Sequence, residues 1–355
     1  MPIPMEPIGS VPRPPELIAV VTRHGQGQAT AEELRAAYDA ALRDTVARFE
    51  QTGSPVIADG EQTKPSFATY PLAGLANLAP DGVTIPFSDG HTRQLPRLSA
   101  GPFRYGCYCG GYVREARRFT SVPIKQAVIA PSAMSLLYPG VGVADYSRED
   151  FLRDLIDEAE KDVRSCFDAG AHSVQLDFTE GRLAVKLDPS KGLLREFVRI
   201  NNLLLDRFTT AERERIGIHT CPGGDKDATH SADVDYVDLL PDLFEIRAGR
   251  FYMQLASAAD KDRVLGVVQR HRKPEQAVYV GVIDPISPEI ESPETVRDRV
   301  LQAARYIPLD KLGITDDCGF SPFGDDLSTA RDLAFAKIRA RVQGVRMAEK
   351  ILGVA

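Results

Sequence analysis

Eight short runs of β-branched and aromatic residues alternate with longer amphipathic runs along this chain of 355 residues. The strand-like runs cover residues 6–10, 55–59, 124–129, 173–178, 216–221, 251–256, 277–284 and 312–317. The helix-like runs cover residues 31–51, 148–169, 191–207, 232–243, 261–271, 293–306 and 328–352. Such alternation predicts a parallel sheet covered by helices. Eight strands predict that the sheet closes into a (β/α)8 TIM barrel, an α/β fold.

One segment, residues 64–121, departs from this alternation because it is rich in Gly, Pro and aromatic residues and has no sustained period. Long structureless loops are uncommon inside compact domains, so we expect an excursion of short strands and turns that covers one mouth of the barrel. No internal repeat or break in composition marks a second domain. The sequence therefore predicts a single barrel domain over residues 1–355, with an elaborated N-terminal part.

The composition excludes several functional classes. The chain has 43 Lys and Arg residues against 50 Asp and Glu, a net charge of −7, which argues against a general binder of nucleic acid or of a membrane surface. No stretch approaches the ~18 apolar residues of a membrane-spanning helix, and the N-terminus lacks the pattern of a signal peptide. Five cysteines without a framework spacing are typical of a reducing compartment, so we expect a cytoplasmic protein.

Polar side chains cluster where the predicted strands end, and in a barrel these carboxyl ends meet at the face that carries the active site. The residues are Ser10, Asp59, Glu61, Asp177, His219, Cys221, Gln254, Asp284 and residues 316–318. For any single Ser or Asp the alternative interpretation is a helix N-cap. For Glu61 and Asp177 it is an ion pair with Lys64, Arg182 or another nearby cation. The group as a whole favours a functional site.

The most specific pattern is the His-Thr-Cys sequence at 219–221, followed by Cys318 at the end of the last strand. Residues i and i+2 of a strand point the same way, so His219 and Cys221 converge, and barrel closure brings Cys318 near them. Two thiolates and one imidazole are three zinc ligands that leave a fourth position open. The alternative is that the cysteines are inert and buried. Cys107 and Cys109 are too closely spaced for a usual zinc pair, and their role stays open.

Several segments, in the same chain order, resemble the C-terminal barrel of the cobalamin-independent methionine synthases. They are residues 8–12 (IGSVP), 59–61 (DGE), 175–177 (QLD), 219–221 (HTC) and 317–319 (DCG). The resemblance covers nearly the whole chain and is weakest over residues 64–121. The epoxyalkane:coenzyme M transferases are similar through residues 101–105 (GPFRY), 131–133 (PSA) and 304–310 (ARYIPLD).

The resemblance implies a zinc-dependent enzyme that activates a thiol as a thiolate and alkylates its sulfur, on a (β/α)8 fold that uroporphyrinogen decarboxylase shares without the zinc. Carried over by position, His219, Cys221 and Cys318 would be the zinc ligands. The side chains that match the positions holding the amino-acid part of homocysteine are Ser10, Glu61 and Asp177.

Two positions depart from the family's pattern. Gln254, or by a one-residue shift Leu255, stands where a glutamate is a further zinc ligand. A neutral ligand there would leave the metal about one charge unit more positive, so that a bound thiol ionises more readily and is less nucleophilic. Ile286 stands where a histidine is expected as a proton donor, which leaves Asp284 as the nearest acid and the expected catalytic residue.

The sequence thus predicts a zinc-dependent S-methyltransferase or S-alkyltransferase, with homocysteine as the expected acceptor and methionine as the product. Its expected partners are a small thiol and a methyl or alkyl donor, folate or another, and a homo-oligomer is a further expectation. The full-length methionine synthases carry a second barrel that helps to hold folate, so the donor stays open. Two alternatives remain: a lyase or epoxide-opening transferase that adds a thiol to an electrophile, and a zinc- and thiol-binding barrel that has lost catalysis.

Overall fold

A six-stranded parallel sheet forms the centre of the computed structural model, which describes residues 1–354. The strands are β1 (Leu78–Ala79), β2 (Thr84–Pro86), β3 (Thr92–Gln94), β4 (Arg97–Leu98), β5 (Lys125–Ile129), β6 (Ser173–Asp177), β7 (Ile216–Thr220), β8 (Gly224–Asp225), β9 (Ala228–Thr229), β10 (Arg250–Met253), β11 (Ala277–Gly281) and β12 (Leu312–Thr315). The order in the sheet is β12-β11-β10-β7-β6-β5. These six strands coincide with the last six strand-like runs of the sequence.

The first two strand-like runs extend this sheet at its edges by single bridges instead of regular strands. Met5 pairs with Ile314 of β12, and Ile57 pairs with Ile124 beside β5, both in parallel. Just beyond them, the backbone N–H of Val11 donates to the carbonyl of Gly60 at 3.1 Å, which joins the two segments. Prolines that lack an N–H flank both bridges and shorten the hydrogen-bond ladders. The expected (β/α)8 type of fold is confirmed.

Helices follow the strands and cover the outside of the sheet. They are α1 (Pro15–Gly25), α2 (Ala31–Thr52), α3 (Gly110–Arg117), α4 (Pro131–Met134), α5 (Arg148–Asp168), α6 (Glu180–Leu187), α7 (Gly192–Leu205), α8 (Thr210–Arg213), α9 (Tyr236–Leu243), α10 (Lys261–His271), α11 (Pro293–Ala303) and α12 (Arg331–Leu352). All seven helical runs of the sequence are present, with ends shifted by a few residues. Within residues 1–354 no helix has both the length and the apolar character that crossing a membrane requires.

The excursion at residues 64–121 contains two short antiparallel pairs, β1 with β4 and β2 with β3, and the helix α3. Several of its buried side chains, among them Leu72, Leu98 and Phe103, belong to the same hydrophobic cluster as the barrel strands. The excursion and the barrel strands therefore share one core, and the single domain stays a prediction. The hairpin β2–β3 lies over the carboxyl ends of the strands, where Ile85 and Leu95 line a cavity.

Polar side chains fill the opposite, amino-terminal end of the barrel. Glu6 is buried and accepts hydrogen bonds from Tyr252 at 2.6 Å and from Ser173 at 2.9 Å. The Lys125 ammonium lies 3.6 Å from the centre of the Tyr252 ring, a cation–π contact. These packed groups occupy the amino-terminal end, whereas a cavity opens at the carboxyl ends of the strands.

Candidate active site

A cavity of about 540 Å³ opens at the carboxyl ends of the strands. Five of the side chains singled out from the sequence line it: Ser10, Glu61, Asp177, His219 and Cys318. They come from different strand ends along the chain, and the barrel brings them together because parallel strands all end at one face. The rest of the lining is largely aliphatic and aromatic.

His219, Cys221 and Cys318 form a compact group in the wall of this cavity. Their ligand atoms all lie within 4.8 Å of one another, and all three side chains are buried. The two Sγ atoms are 3.1 Å apart as free thiols. Among residues 1–354, no carboxylate joins the group. Two thiols and one imidazole match catalytic zinc sites, in which three protein ligands leave one position for substrate.

The imidazole of His219 is oriented for such a role. The parallel register pairs Tyr252 of β10 with His219 of β7, and the Nδ1–H donates to the Tyr252 carbonyl at 3.3 Å. Nε2 is buried and has no hydrogen-bond partner within residues 1–354. A histidine that donates through one nitrogen to a backbone carbonyl presents the lone pair of the other, the usual arrangement of a metal-binding histidine. The unpaired buried nitrogen therefore fits a metal ion.

A glycine-rich loop follows Cys221 and contacts its sulfur. The Gly223 N–H donates to the Cys221 sulfur at 3.4 Å. Gly223 has a φ of +70°, and a Cβ there would lie 1.7 Å from Nε2 of His230. Only glycine fits, both because L side chains rarely adopt this φ and because the imidazole occupies the space.

His230, which follows the Gly-rich loop after β7, lies in the same cavity. Its Nδ1 is 2.8 Å from the Ser231 hydroxyl, which itself donates to the Pro222 carbonyl at 3.1 Å. Nδ1 therefore carries the proton, and Nε2 is an acceptor. Burial, with the Lys186 and Arg182 cations, lowers the pKa of His230 to about 4, so the ring is neutral near pH 7. The local signal was the Gly-rich loop that precedes it.

Glu61 and Asp177 are acidic side chains that both line the cavity, and the charge of Asp177 acts on Glu61. Burial raises the pKa of Glu61 to about 7, although the Lys64 ammonium opposes this. Lys64 donates to Glu61 Oε1 at 3.1 Å, the ion pair considered from the sequence. The other oxygen, Oε2, is buried without a partner in residues 1–354. Asp177 accepts one hydrogen bond from Gln175 at 2.6 Å.

The backbone of Glu61 is held in an unusual conformation, with a φ of +55°. Such a residue persists only when the surroundings fix it, and it is a frequent feature of functional sites. Here the Glu61 N–H donates to Asp59 at 3.0 Å, and its carbonyl accepts from the Arg13 guanidinium at 2.6 Å. Asp59 therefore shapes the turn that aims Glu61 into the cavity.

Arg13 is a buried cation that the sequence analysis missed. Its guanidinium donates to four backbone carbonyls, those of Glu61 (2.6 Å), Lys64 (2.8 Å), Ser321 (3.3 Å) and Phe323 (3.0 Å). These carbonyls belong to the segments after the second and the last strands, while Arg13 itself follows the first. It thus ties together three loops of the cavity, a set of contacts that no local sequence pattern indicates.

Ser10 lies close to the turn that carries Cys318. The Ser321 N–H donates to the Ser10 hydroxyl oxygen at 3.3 Å. A Cβ at Gly319 would lie only 2.2 Å from that oxygen, so the Ser10 side chain packs directly on the glycine after Cys318. A ligand bound at Ser10 would therefore lie beside the His/Cys group.

Gln254 and Asp317 form hydrogen bonds with other groups of the protein. The Gln254 amide oxygen accepts from Arg182 at 2.7 Å, and its nitrogen donates to Ser257 at 2.6 Å. Both ends of the amide are thus engaged with protein groups, which gives no support to Gln254 as a zinc ligand. Asp317 accepts the backbone N–H groups of Leu255 and Ala256, both at 2.8 Å, and so fastens the end of β12 to the end of β10.

Asp284, the expected catalytic residue, is not brought to the cavity. Its carboxylate accepts the Ile286 N–H at 3.0 Å, and its own N–H donates to Glu291 at 2.8 Å. Asp284 is not one of the described residues that line the cavity. The strand β11 ends at Gly281, three residues earlier, so Asp284 lies in the following turn and stabilises it. A catalytic role for Asp284 gains no support from this placement.

The excursion is fastened over the cavity by charged contacts. Arg93 of β3 binds Asp225 at 2.6 Å and Asp325 at 2.8 Å. The His91 Nε2 lies 3.0 Å from the same Asp225. Because Asp225 of β8 lies shortly after β7 and Asp325 lies in the loop after β12, these pairs hold the excursion against the two segments that supply the His/Cys group.

The fold and the site define a (β/α)8-type protein with a His/Cys group in a cavity at the carboxyl ends of its strands. The profile of the cobalamin-independent synthase family, catalytic domain, matches residues 3–333. A 5-methyltetrahydropteroyltriglutamate–homocysteine methyltransferase of Nitratidesulfovibrio vulgaris is 26% identical over 89% of this chain, which spans 38% of that protein. A methionine synthase of Thermococcus kodakarensis is 22% identical over 99% of this chain and 94% of its own length.

A solved structure shows the same fold. The B12-independent methionine synthase of Shewanella sp. W3-18-1 superposes with a TM-score of 0.75 and 19% identity, with all of both chains covered. The chain belongs to the cobalamin-independent synthase family through its catalytic domain. The family predicted from the sequence motifs is confirmed, and with it the prediction that the chain is an enzyme of the methyltransferase class found among these relatives.

Proposed function

We propose that this protein transfers a methyl group to the sulfur of homocysteine, forming methionine, with Zn²⁺ held by His219, Cys221 and Cys318. The observation that carries the proposal is the His/Cys group, whose ligand atoms lie within 4.8 Å of one another in the cavity wall. The relatives named as methionine synthases support the same reaction. The Shewanella protein is described as a complex with selenomethionine, a close analogue of the proposed product.

The three side chains suit zinc by their chemistry. Zn²⁺ prefers thiolate and imidazole ligands, and the unpaired Nε2 of buried His219 is a donor atom without a protein partner in residues 1–354. When bound, the metal would act as a Lewis acid that lowers the pKa of a thiol and so supplies a nucleophile near neutral pH.

The residues around the group would hold the amino-acid part of the acceptor. Glu61 Oε2 and Asp177 present negative charge for an ammonium group, and Ser10 presents a hydroxyl for a carboxylate. Ser10 packs on the glycine that follows Cys318. An acceptor bound there has its sulfur end directed to the His/Cys group, and this fixed placement contributes through proximity.

The apolar part of the cavity would take the methyl donor. It is lined by the aromatic rings of Phe67, Phe87 and Phe323 and by the aliphatic side chains of Leu95 and Leu136. Phe67 and Phe323 pack edge to face with their centroids 5.5 Å apart. Such a wall excludes water from the transfer and suits an apolar or aromatic donor body. In the overall reaction the acceptor loses its S–H proton, the S–CH₃ bond forms as the bond between the donor atom and the methyl carbon breaks, and the donor leaves with that electron pair and takes up the proton.

The direct test is metal content and turnover. Protein purified without added zinc is expected to hold about one zinc per chain, and homocysteine with a suitable donor is expected to give methionine. Donors of three classes are compared: 5-methyltetrahydrofolate, methylcobalamin and a small epoxide with the same thiol. Methionine from either methyl donor supports the proposal. Epoxide opening alone would replace it with the alkyltransferase alternative, and a protein that binds no zinc would refute it.

The charge of Glu61 predicts a pH dependence of acceptor binding. Its pKa of about 7 reflects burial together with the charges that face it, those of Lys64, Asp177 and Asp59. Because an ammonium binds the carboxylate form, the KM for homocysteine should rise about tenfold between pH 8 and pH 6, as that form is lost. The KM is measured beside that of 4-mercaptobutanoate, which lacks the amino group.

The control for this prediction is Glu61→Gln, which removes the ionisable group and keeps the shape. In this variant the ratio of the two KM values should not change with pH. A ratio that still changes tenfold in the variant would assign the titration to another group. A ratio that is constant in the wild-type protein would contradict the role of Glu61.

A further inference from the structure

Lys64 is a buried cation in the floor of the cavity. Its ammonium donates to Glu61 Oε1 at 3.1 Å and to the Ala127 carbonyl at 2.8 Å. It also lies 4.9 Å from the centre of the Tyr70 ring and 5.7 Å from that of Tyr112. A carbonyl, a carboxylate and two aromatic faces thus fix a compact ammonium in one place.

This placement gives the two carboxylate oxygens of Glu61 different surroundings. Oε1 is held by Lys64, while Oε2 is buried without a partner in residues 1–354. The rotamer of Glu61 is therefore set from one side, and the free oxygen is left for a ligand. An unpaired buried carboxylate oxygen is costly, which makes this position one that a ligand's donor would satisfy.

The charges of the side chains that line the cavity also favour a ligand with one positive group. Four acids line the cavity. Glu61 is paired with Lys64 and Asp325 with Arg93, and burial raises the pKa of Glu180 to about 8, so that this acid is mostly neutral near pH 7. Asp177 forms no salt bridge within residues 1–354. One negative charge remains for the ligand to balance. Without Lys64, the buried Glu61 would face Asp177 and Asp59, and the cation left nearby would be Arg13, whose guanidinium is engaged by four backbone carbonyls. Like charges in a buried site suppress ionisation, so Glu61 would become a neutral acid with little attraction for an ammonium.

We propose that Lys64 is a positioning residue that makes the cavity selective for acceptor thiols carrying one ammonium group, by holding Glu61 as a carboxylate with one oxygen directed to the ligand. This inference rests on the proposed function, since it concerns the acceptor of the same site. It assigns the preference for an aminothiol over a simple thiol to a residue that need not contact the substrate.

The test compares the binding of two thiols by calorimetry, independently of turnover. Homocysteine and 4-mercaptobutanoate differ only in the amino group. Lys64→Met should weaken homocysteine binding about 10- to 100-fold, the range of a lost hydrogen bond to a charged group, and 4-mercaptobutanoate binding less than threefold. Lys64→Arg keeps the charge and should recover part of the selectivity. Lys337→Met removes another buried ammonium, paired with Glu291 at 2.9 Å outside the cavity, and should leave the selectivity unchanged.

Removing the partner provides a second variant should Lys64→Met fold poorly. Glu61→Gln, and the double variant that also carries Lys64→Met, should show the same loss of selectivity as each other, because Lys64 acts only through Glu61. Equal weakening of both thiols in Lys64→Met, or an additional loss in the double variant, would overturn the proposal. If the wild-type protein binds neither thiol, the proposed function fails and this inference fails with it. If wild type binds homocysteine and Lys64→Met binds it equally well, only the inference fails.

Discussion

Replacing Cys318 by serine is expected to reduce methyl transfer by about three orders of magnitude or more and to remove most of the bound zinc. The reason is that Cys318 is one of only three His, Cys or acidic side chains that converge here within residues 1–354. A metal Lewis acid contributes several kcal/mol to such a reaction, and each 1.4 kcal/mol is about tenfold in rate. Cys221→Ser should behave in the same way. Metal content by elemental analysis and initial rates measure the two effects.

The matched control is Cys166→Ala, which removes a buried free thiol from the helix α5. This variant should keep its zinc and its activity, although it loses some stability through the small cavity left behind. Circular dichroism establishes that each variant is folded. A folded Cys318→Ser protein with full zinc content and normal rate would refute the metal site.

Replacing Arg341 by methionine is expected to lower the free energy of unfolding by about 3–5 kcal/mol. Arg341 of α12 is fully buried and donates to the carboxylate of Asp316, which is also buried. Removing the cation leaves a buried carboxylate whose remaining hydrogen bond within residues 1–354 is the one from the Ile8 N–H at 3.3 Å. A charge left without its partner in the interior is among the most destabilising single changes. Urea unfolding followed by circular dichroism measures the loss.

The double variant Arg341→Met with Asp316→Asn removes both charges and should lose less stability than Arg341→Met alone. Arg247→Met is the surface control, since Arg247 and Asp206 form a half-exposed ion pair, and it should cost less than about 1 kcal/mol. An Arg341→Met variant as stable as this control would show that the buried pair contributes nothing. Because Asp316 is paired with Arg341 in the interior, this residue at the end of a strand has a structural role.

The comparison of Asp177 with Asp284 shows how far strand ends can be located from sequence. Asp177 is the last residue of β6 and lines the cavity, as its position after a hydrophobic run predicted. Asp284 stood at the end of a similar run, yet β11 ends three residues earlier and the chain turns. Periodicity identifies a strand well and its last residue poorly, and a shift of a few residues moves a side chain out of the site.

The sequence alone did not identify the roles of side chains whose partners lie far away in the chain. Arg13 was not singled out, since its four carbonyl partners come from segments about 50 and 310 positions away. Gln254 was considered as a metal ligand, whereas the structure engages its amide with Arg182, 72 positions earlier in the chain. His230 lines the cavity from a loop, and a loop sequence does not state which way a side chain points.

The alternation of strand and helix, the sheet type and the convergence of His219, Cys221 and Cys318 followed from the sequence by itself. They depend on local periodicity and on chain order, because parallel strands always end at one face. Only the tertiary structure decided that Lys64 rather than a ligand holds one oxygen of Glu61, that Asp284 faces its own turn, and that Arg341 neutralises Asp316. Those outcomes depend on distances of a few ångströms between segments far apart in the chain, and burial, not spacing, sets which charges must pair.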